Sequence, residues 1–255
     1  SSFGTVHSER VHMINLALSL LIAALVAGVF LVAGFSIWAC LLPALIAFLV
    51  ANILLARRVG KKIQAIAAEA QKEIMAQRFD KGIKLLESAF AYTRWQFFIA
   101  SELNANVGVL QFMTKNFTAA RPHLEKSGLR GASAARARTM LAALDYQAKA
   151  EPAMRTAFEQ AVAANKKDVI AWAAYGWCLE KLGRRDDAIK VFARAVEANP
   201  TEERLKNSLT ALRNGKKLKM KGYGLEWYQL FLERPPMDLG GPGAGGGRKV
   251  VFQRR

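Results

Sequence analysis

The sequence predicts an all-α protein: a two-helix transmembrane hairpin, then an α-solenoid of two-helix repeats, then a flexible basic C-terminal tail. Three observations carry that prediction. No Asp, Glu, Lys or Arg occurs among the 46 residues from Val11 to Ala56. Small and aromatic positions recur every 34 residues between Gly108 and Asn199. Beyond Arg213 the chain turns basic and then Gly-rich. The 255 residues hold 37 Lys and Arg against 20 Asp and Glu, a net charge of +17. Such an excess calls for an anionic neighbour: lipid headgroups, nucleic acid or an acidic protein. The length allows one or two domains with a real core. Cys40 and Cys178 lie far apart without metal or redox spacing, so they read as small buried apolar residues. The chain begins at Ser1 rather than Met, so a processed start or a few missing native residues are expected.

The uncharged run comes first. A spanning helix needs about 20 apolar residues, so the run suffices for two. Gly34-Phe35-Ser36 marks the turn, dividing helices of about Met13–Ala33 and Ile37–Ala56. Pro43 is expected to kink or loosen the second. A cleaved signal peptide would have a shorter apolar stretch and no second span. Arg10 precedes the first helix, Arg57, Arg58, Lys61 and Lys62 follow the second, and the turn is uncharged. Basic residues stay on the cytoplasmic side, so both termini are expected there, with a bacterial inner membrane as the expected location. The four basic residues after position 56 then face anionic headgroups. Ala23/Ala27, Ala24/Gly28 and Ala47/Ala51 permit close helix approach. Asn15 and Asn52, near the cytoplasmic ends, are read as reaching the headgroups.

The repeats follow. Residues 169–202 hold Trp172, Tyr175, Gly176, Leu179, Gly183, Ala188, Phe192, Ala195 and Pro200. This unit resembles the tetratricopeptide repeat, in which Trp, Leu-Gly, Tyr, Ala, Phe, Ala and Pro stand at set distances. Tyr175 replaces the usual Leu, and Leu179 the usual Tyr. One period earlier stand Ala142, Phe158, Ala161, Val162 and Asn165, with Met154 where Ala is usual and Lys166 where Pro is usual. Two periods earlier stand Gly108, Ala120, Leu124 and Ser127. A degenerate copy, "RFDKGIKLLESAF" at 78–90, places Gly82 at the small position, with four extra residues before the next unit. Small residues sit where paired helices touch, while Trp172 and Phe192 fill the spaces between units. Leu205, Leu209 and Leu212 share a face of 201–213, the expected cap. The charges of "RDDAIKVFARAVEANP", 185–200, are expected on a solvated face.

The resemblance covers about residues 63–202 and implies architecture rather than activity. It implies a concave groove lined by first helices, receiving protein segments. Carried over by position, that groove includes Val109, Phe112 and Met113, then Thr139, Ala143 and Tyr146, then Ala173, Trp177 and Lys181. The paired basic and Asn residues with which some family members hold a C-terminal carboxylate do not recur here. The groove is expected to hold either a partner or the chain's own tail, because exposed aromatic grooves are usually covered.

No catalytic, cofactor or metal site is expected. His7, His12 and His123 belong to no nucleophile, metalloprotease or metal-ligand pattern. "GGPGAGGGRK", 240–249, lacks the Lys-Ser/Thr ending and the strand–helix setting of a phosphate loop, so it reads as a flexible tether. "KKLKMK", 216–221, stands beside Tyr223, Trp227, Tyr228 and Phe231, a composition that can grip single-stranded nucleic acid. In a membrane-held protein the same composition favours lipid or protein contact, so nucleic acid is the disfavoured partner. Leu225, Tyr228, Leu232 and neighbouring Phe231 are expected to share one face of a short helix ordered against a neighbouring subunit. "RKVVFQRR" is expected to add as a strand or lie on anionic lipid.

The resulting organisation is a cytoplasmic segment 1–10, a hairpin 11–56, juxtamembrane helices with the degenerate repeat 57–100, a solenoid with its cap 101–213, and a basic, Gly-rich tail 214–255. Two functions fit it. The first is a non-enzymatic scaffold or adaptor, ordering the protein subunits of a membrane complex on the cytoplasmic side. The second is an accessory regulator of a membrane biosynthetic or transport enzyme. Stoichiometric structural partners in detergent favour the first; substoichiometric enzymes favour the second. A membrane-tethered nucleic-acid-binding protein is the distant third.

Overall fold

In the computed structural model, which describes residues 14–93 and 97–236, eleven α-helices and no strand occur among the described residues. The chain divides into two compact units at Gly128/Leu129.

The first unit opens with α1 (Ile14–Val32) and α2 (Ile37–Met75) packed as a hairpin. Gly34 makes the turn at φ +84, a left-handed conformation that costs glycine little. Its N–H bonds Leu31 O at 3.0 Å, Phe35 N–H bonds Phe30 O at 3.2 Å, and the two Phe rings meet at 5.5 Å. At 1.5 Å per residue, α1 is about 28 Å long, enough to cross a bilayer's hydrocarbon. Only 11% of each apolar window is buried in the fold, and Leu21, Leu25, Val29, Leu42 and Leu54 stand exposed. The packing is thus inverted relative to a water-soluble core, with large residues outward and small ones inward. The buried residues of α1 are Asn15 and Ser19, continued at the same four-residue spacing by half-buried Ala23 and Ala27. Asn15 is therefore not turned outward to headgroups as expected. It is 4% exposed, and Ser19 Oγ donates to its backbone oxygen at 2.7 Å. The helical period that puts Ala23 and Ala27 inside carries Asn15 inside too. Asn52 is half-buried.

The second helix does not end at Ala56. It continues across Pro43, Arg57, Arg58, Lys61 and Lys62 to Met75, a rod of 39 residues. That corresponds to about 58 Å. Nothing between 56 and 75 is a strong helix stop, since no Pro intervenes and Gly60 alone lowers propensity. The distal part of α2 packs on α3 (Phe79–Ser88). A Cβ on Gly82 would lie 2.7 Å from Ile74 Cγ1 and 3.3 Å from Ala70 O, so this glycine permits the close approach. The degenerate repeat is thus a helix pair whose first member is the continuation of the hairpin. A 3₁₀ turn (Ala89–Tyr92), α4 (Phe97–Met113) and α5 (Phe117–Glu125) complete the unit, with Ala70, Leu86, Val107 and Leu110 forming a shared core. A Cβ on Gly108 would lie 2.9 Å from Leu124 Cδ2.

The second unit comprises α6 (Ala132–Gln147), α7 (Glu151–Ala164), α8 (Val169–Lys181), α9 (Arg185–Ala198), α10 (Glu203–Arg213), a 3₁₀ turn (Met220–Tyr223) and the four-residue α11 (Leu225–Tyr228). Consecutive helices pack in sequence, a solenoid-like arrangement. A Cβ on Gly176 would overlap the ring of Phe192. Leu205, Leu209 and Leu212 of α10 are buried as their spacing predicts.

The 34-residue period also governs the backbone. Lys115, Lys149 and Gly183 all have positive φ, at +63, +59 and +76, and Gln77 repeats this at +59. Each ends a first helix through paired bonds, such as Lys149 N–H to Tyr146 O at 3.0 Å and Ala150 N–H to Asp145 O at 2.9 Å. Left-handed strain of about 1–2 kcal/mol in Lys, less the glycine entropy cost of about 0.5–1, leaves a margin. Lys149→Gly is expected to raise stability by about 0.5–1 kcal/mol, read as a higher urea midpoint. An unchanged or lower midpoint refutes that balance.

Candidate functional site

The inner face of the second unit brings Tyr146, Trp177 and Trp227 of the sequence-predicted side chains together. Tyr146 on α6 and Trp177 on α8 meet edge-on at 5.7 Å. They are neighbours because equivalent positions of successive first helices are adjacent. Trp227 of α11 then stacks edge-on against Trp177 at 5.4 Å. The Glu233 carboxylate joins the two indoles, accepting Trp177 Nε1–H at 3.2 Å and Trp227 Nε1–H at 2.9 Å. Lys181 Nζ stands 5.3 Å from the Trp177 ring centre. Around this cluster Gln147 donates to Phe231 O at 3.3 Å and Arg136 to Gln229 Oε1 at 2.8 Å. Trp177 is 4% exposed and Trp227 is fully buried.

The groove is therefore occupied by the chain's own residues 223–233, the second of the two occupants expected for it. This segment is secured against α10 through Tyr223. The Tyr223 hydroxyl lies 2.9 Å from Ser208 Oγ and donates to Arg204 O at 3.1 Å. Burial pushes the Tyr223 phenol up to about 12, so it remains a protonated donor. Arg185 donates to Leu212 O at 3.2 Å and to Lys216 O at 2.8 Å, holding the connection after α10.

Several expected placements change. The tail's first part, 216–236, is folded rather than a free extension, while "GGPGAGGGRK", "RKVVFQRR", Arg10, His7 and His12 lie outside the described residues. The contact face is not Leu225/Tyr228/Leu232. Leu225 is 60% exposed, whereas Tyr223, Trp227 and Leu230 are buried at helix-like three- and four-residue intervals. Tyr228 and Phe231 are half-buried, and Phe231 takes φ +53. Phe112 presents no groove surface, because it is fully buried and packs on Phe117 at 5.3 Å within the first unit. Val109 and Met113 are half-buried there. Arg57, Arg58, Lys61 and Lys62 are exposed on α2, with Lys62 Nζ 5.7 Å from the Tyr92 ring centre. Sequence reasoning missed Met220, Leu230 and Glu233. The Tyr223-Trp227-Leu230 spacing was a legible signal for the burial; nothing local marked Glu233 as the shared acceptor.

The charged face of 185–200 is more than solvated surface. Arg194 binds Glu159 through two bonds of 2.8 and 2.9 Å and lies 5.2 Å from the Trp172 ring centre. Those bonds hold the Glu159 carboxyl below its ordinary range. Arg155 links Glu151 and Asp187, each at 2.9 Å. Lys166 O accepts both Trp172 Nε1–H at 3.0 Å and Asn199 Nδ2–H at 2.9 Å. These contacts join neighbouring helix pairs. Burial pushes the Cys178 thiol up, which leaves it an unreactive core residue.

Compared with curated proteins, the chain matches none. A family model of the tetratricopeptide repeat matches residues 153–212, from within α7 to the end of α10, and to that extent the second unit is similar to that family.

Proposed function

We propose that this chain is a membrane-anchored scaffold or adaptor that orders the protein subunits of a membrane complex on the cytoplasmic side. The observation that carries the reading is α2 itself. One uninterrupted helix holds both an apolar stretch long enough to span a bilayer and the first helix of a repeat-like pair. A hinge-free junction of this kind fixes the first unit's helix pairs at a set height and angle above the bilayer. The outward leucines of the hairpin meet lipid or neighbouring membrane subunits, and the exposed Arg57, Arg58 and Lys61 sit at the headgroup level. Because the chain's own tail covers Trp177, partner binding is assigned to surfaces other than that groove.

The test combines topology with composition. Cys40 and Cys178 are buried and provide a quiet background. Phe35→Cys is expected to react with an impermeant thiol reagent in intact cells, and Glu203→Cys only after permeabilisation. Position 203 suits this role because the Glu203 side chain is 70% exposed, whereas Leu205 is fully buried. Reaction at 203 but not at 35 in intact cells would overturn the topology. Gentle detergent extraction is expected to recover stoichiometric protein partners; a chain that elutes alone from native membranes sinks the scaffold role.

A further inference from the structure

The strongest feature left over is electrostatic. From Arg204 to Leu225 the sequence holds seven Lys and Arg and no Asp or Glu. The fold gathers part of this run around a cleft of about 310 Å³ between α10 and the connection after it. Its walls include Arg204, Asn207, Ser208, Lys216, Lys217 and Lys219. These six are donors or cations, Ala211, Gly222 and Tyr223 complete the lining as its apolar floor, and no carboxylate lines the cleft. Glu202 neutralises Arg204 through bonds of 2.7 and 2.9 Å. Among the described residues, no ion pair engages Lys216, Lys217 or Lys219, and all three side chains are exposed.

We propose that this cleft binds a phosphate monoester group, carried either by a lipid headgroup or by a small soluble molecule. Three lysines lining one cleft without a carboxylate repel each other, and an anion entering the cleft relieves that repulsion. A phosphate offers the multiple acceptor oxygens that several separate Lys donors can share. The cleft is also pre-shaped: Arg185 holds the Leu212 and Lys216 carbonyls, and Tyr223 pins the far side to Ser208 and Arg204. Little ordering cost therefore falls on binding. The competing ligand is single-stranded nucleic acid, for which the adjoining aromatics would have to stack on bases. Tyr223, the aromatic that lines the cleft, is withdrawn at 3% exposed, and Trp227 is fully buried. A compact phosphate group, not an extended strand, fits what remains.

The test uses the full chain in neutral detergent at fixed ionic strength. Glycerol phosphate is titrated by calorimetry, and phosphatidic acid is then presented in mixed micelles. The double variant Lys217→Gln/Lys219→Gln is expected to bind at least tenfold more weakly with an unchanged melting temperature. The control Lys81→Gln/Lys84→Gln, which removes equal charge from the exposed side of α3, is expected to bind as wild type. Binding of both ligands, or of phosphatidic acid alone, upholds the site and distinguishes its soluble from its lipid source. Equal weakening by the α3 control reduces the effect to general charge attraction and overturns the proposal. So does tighter binding of a single-stranded oligonucleotide than of either phosphate ligand, or no binding of either one.

Discussion

Trp227→Ala is expected to lower the stability of the second unit by about 3–5 kcal/mol, the range for deleting a buried aromatic side chain. The expectation rests on how completely the residue is used. Its ring is fully buried and packs edge-on against Trp177, and its indole N–H is bonded to Glu233. Alanine removes the apolar contact, leaves a cavity and takes one donor from a carboxylate that then holds only Trp177. Leu225→Ala, two residues away and 60% exposed, is the matched control and is expected to stay within about 0.5 kcal/mol. Urea unfolding of the full chain in detergent, followed by tryptophan fluorescence, measures both. Equal midpoints for the two variants would mean that the tail is not part of the core. The same geometry changes what truncation does. Removing residues from 216 onward strips the buried Met220, Tyr223, Trp227 and Leu230 from the second unit and uncovers Trp177. A loss of stability, rather than an intact solenoid, is the expected outcome.

The repeat architecture was legible because its determinants are local and periodic. Gly108 and Gly176 announce close helix contact, and the contacts they permit, with Leu124 and Phe192, lie one helix away in the same pair. The hairpin was legible for the same reason, since absence of charge over 46 residues is a property of sequence alone. Two things were not. The junction at Ala56 looks like a boundary because composition changes there, yet backbone hydrogen bonding does not respond to a polarity change and α2 continues. The left-handed turns at Lys115 and Lys149 are hidden because tertiary packing imposes them on residues that do not prefer them. The groove's occupant was open for a third reason. Whether Trp177 meets a partner or its own tail depends on the long-range path of 214–233, which periodicity cannot encode. Only the 223/227/230 spacing hinted at it, and the more conspicuous aromatic cluster at 227–231 drew attention to the wrong face.

Phe192→Ala is expected to cost about 3–5 kcal/mol, and its coupling to Gly176 gives the sharper test. Phe192 is fully buried on α9, and its ring occupies the space that any side chain at 176 would need. Gly176→Ala in the wild-type background therefore overpacks the contact, with an expected loss of about 1–3 kcal/mol. In the Phe192→Ala background the same methyl enters a vacated volume. The double variant is then expected to be less destabilised than the sum of the singles, with a coupling of about 1 kcal/mol or more. One period earlier Ala142 and Phe158 stand at the equivalent positions and both are fully buried. Lys190→Ala on the same helix, with its side chain 77% exposed, is expected to be silent. Strict additivity of the two core substitutions would show that Gly176 and Phe192 do not share a contact, and the helix-pair register derived from the 34-residue period would have to be abandoned.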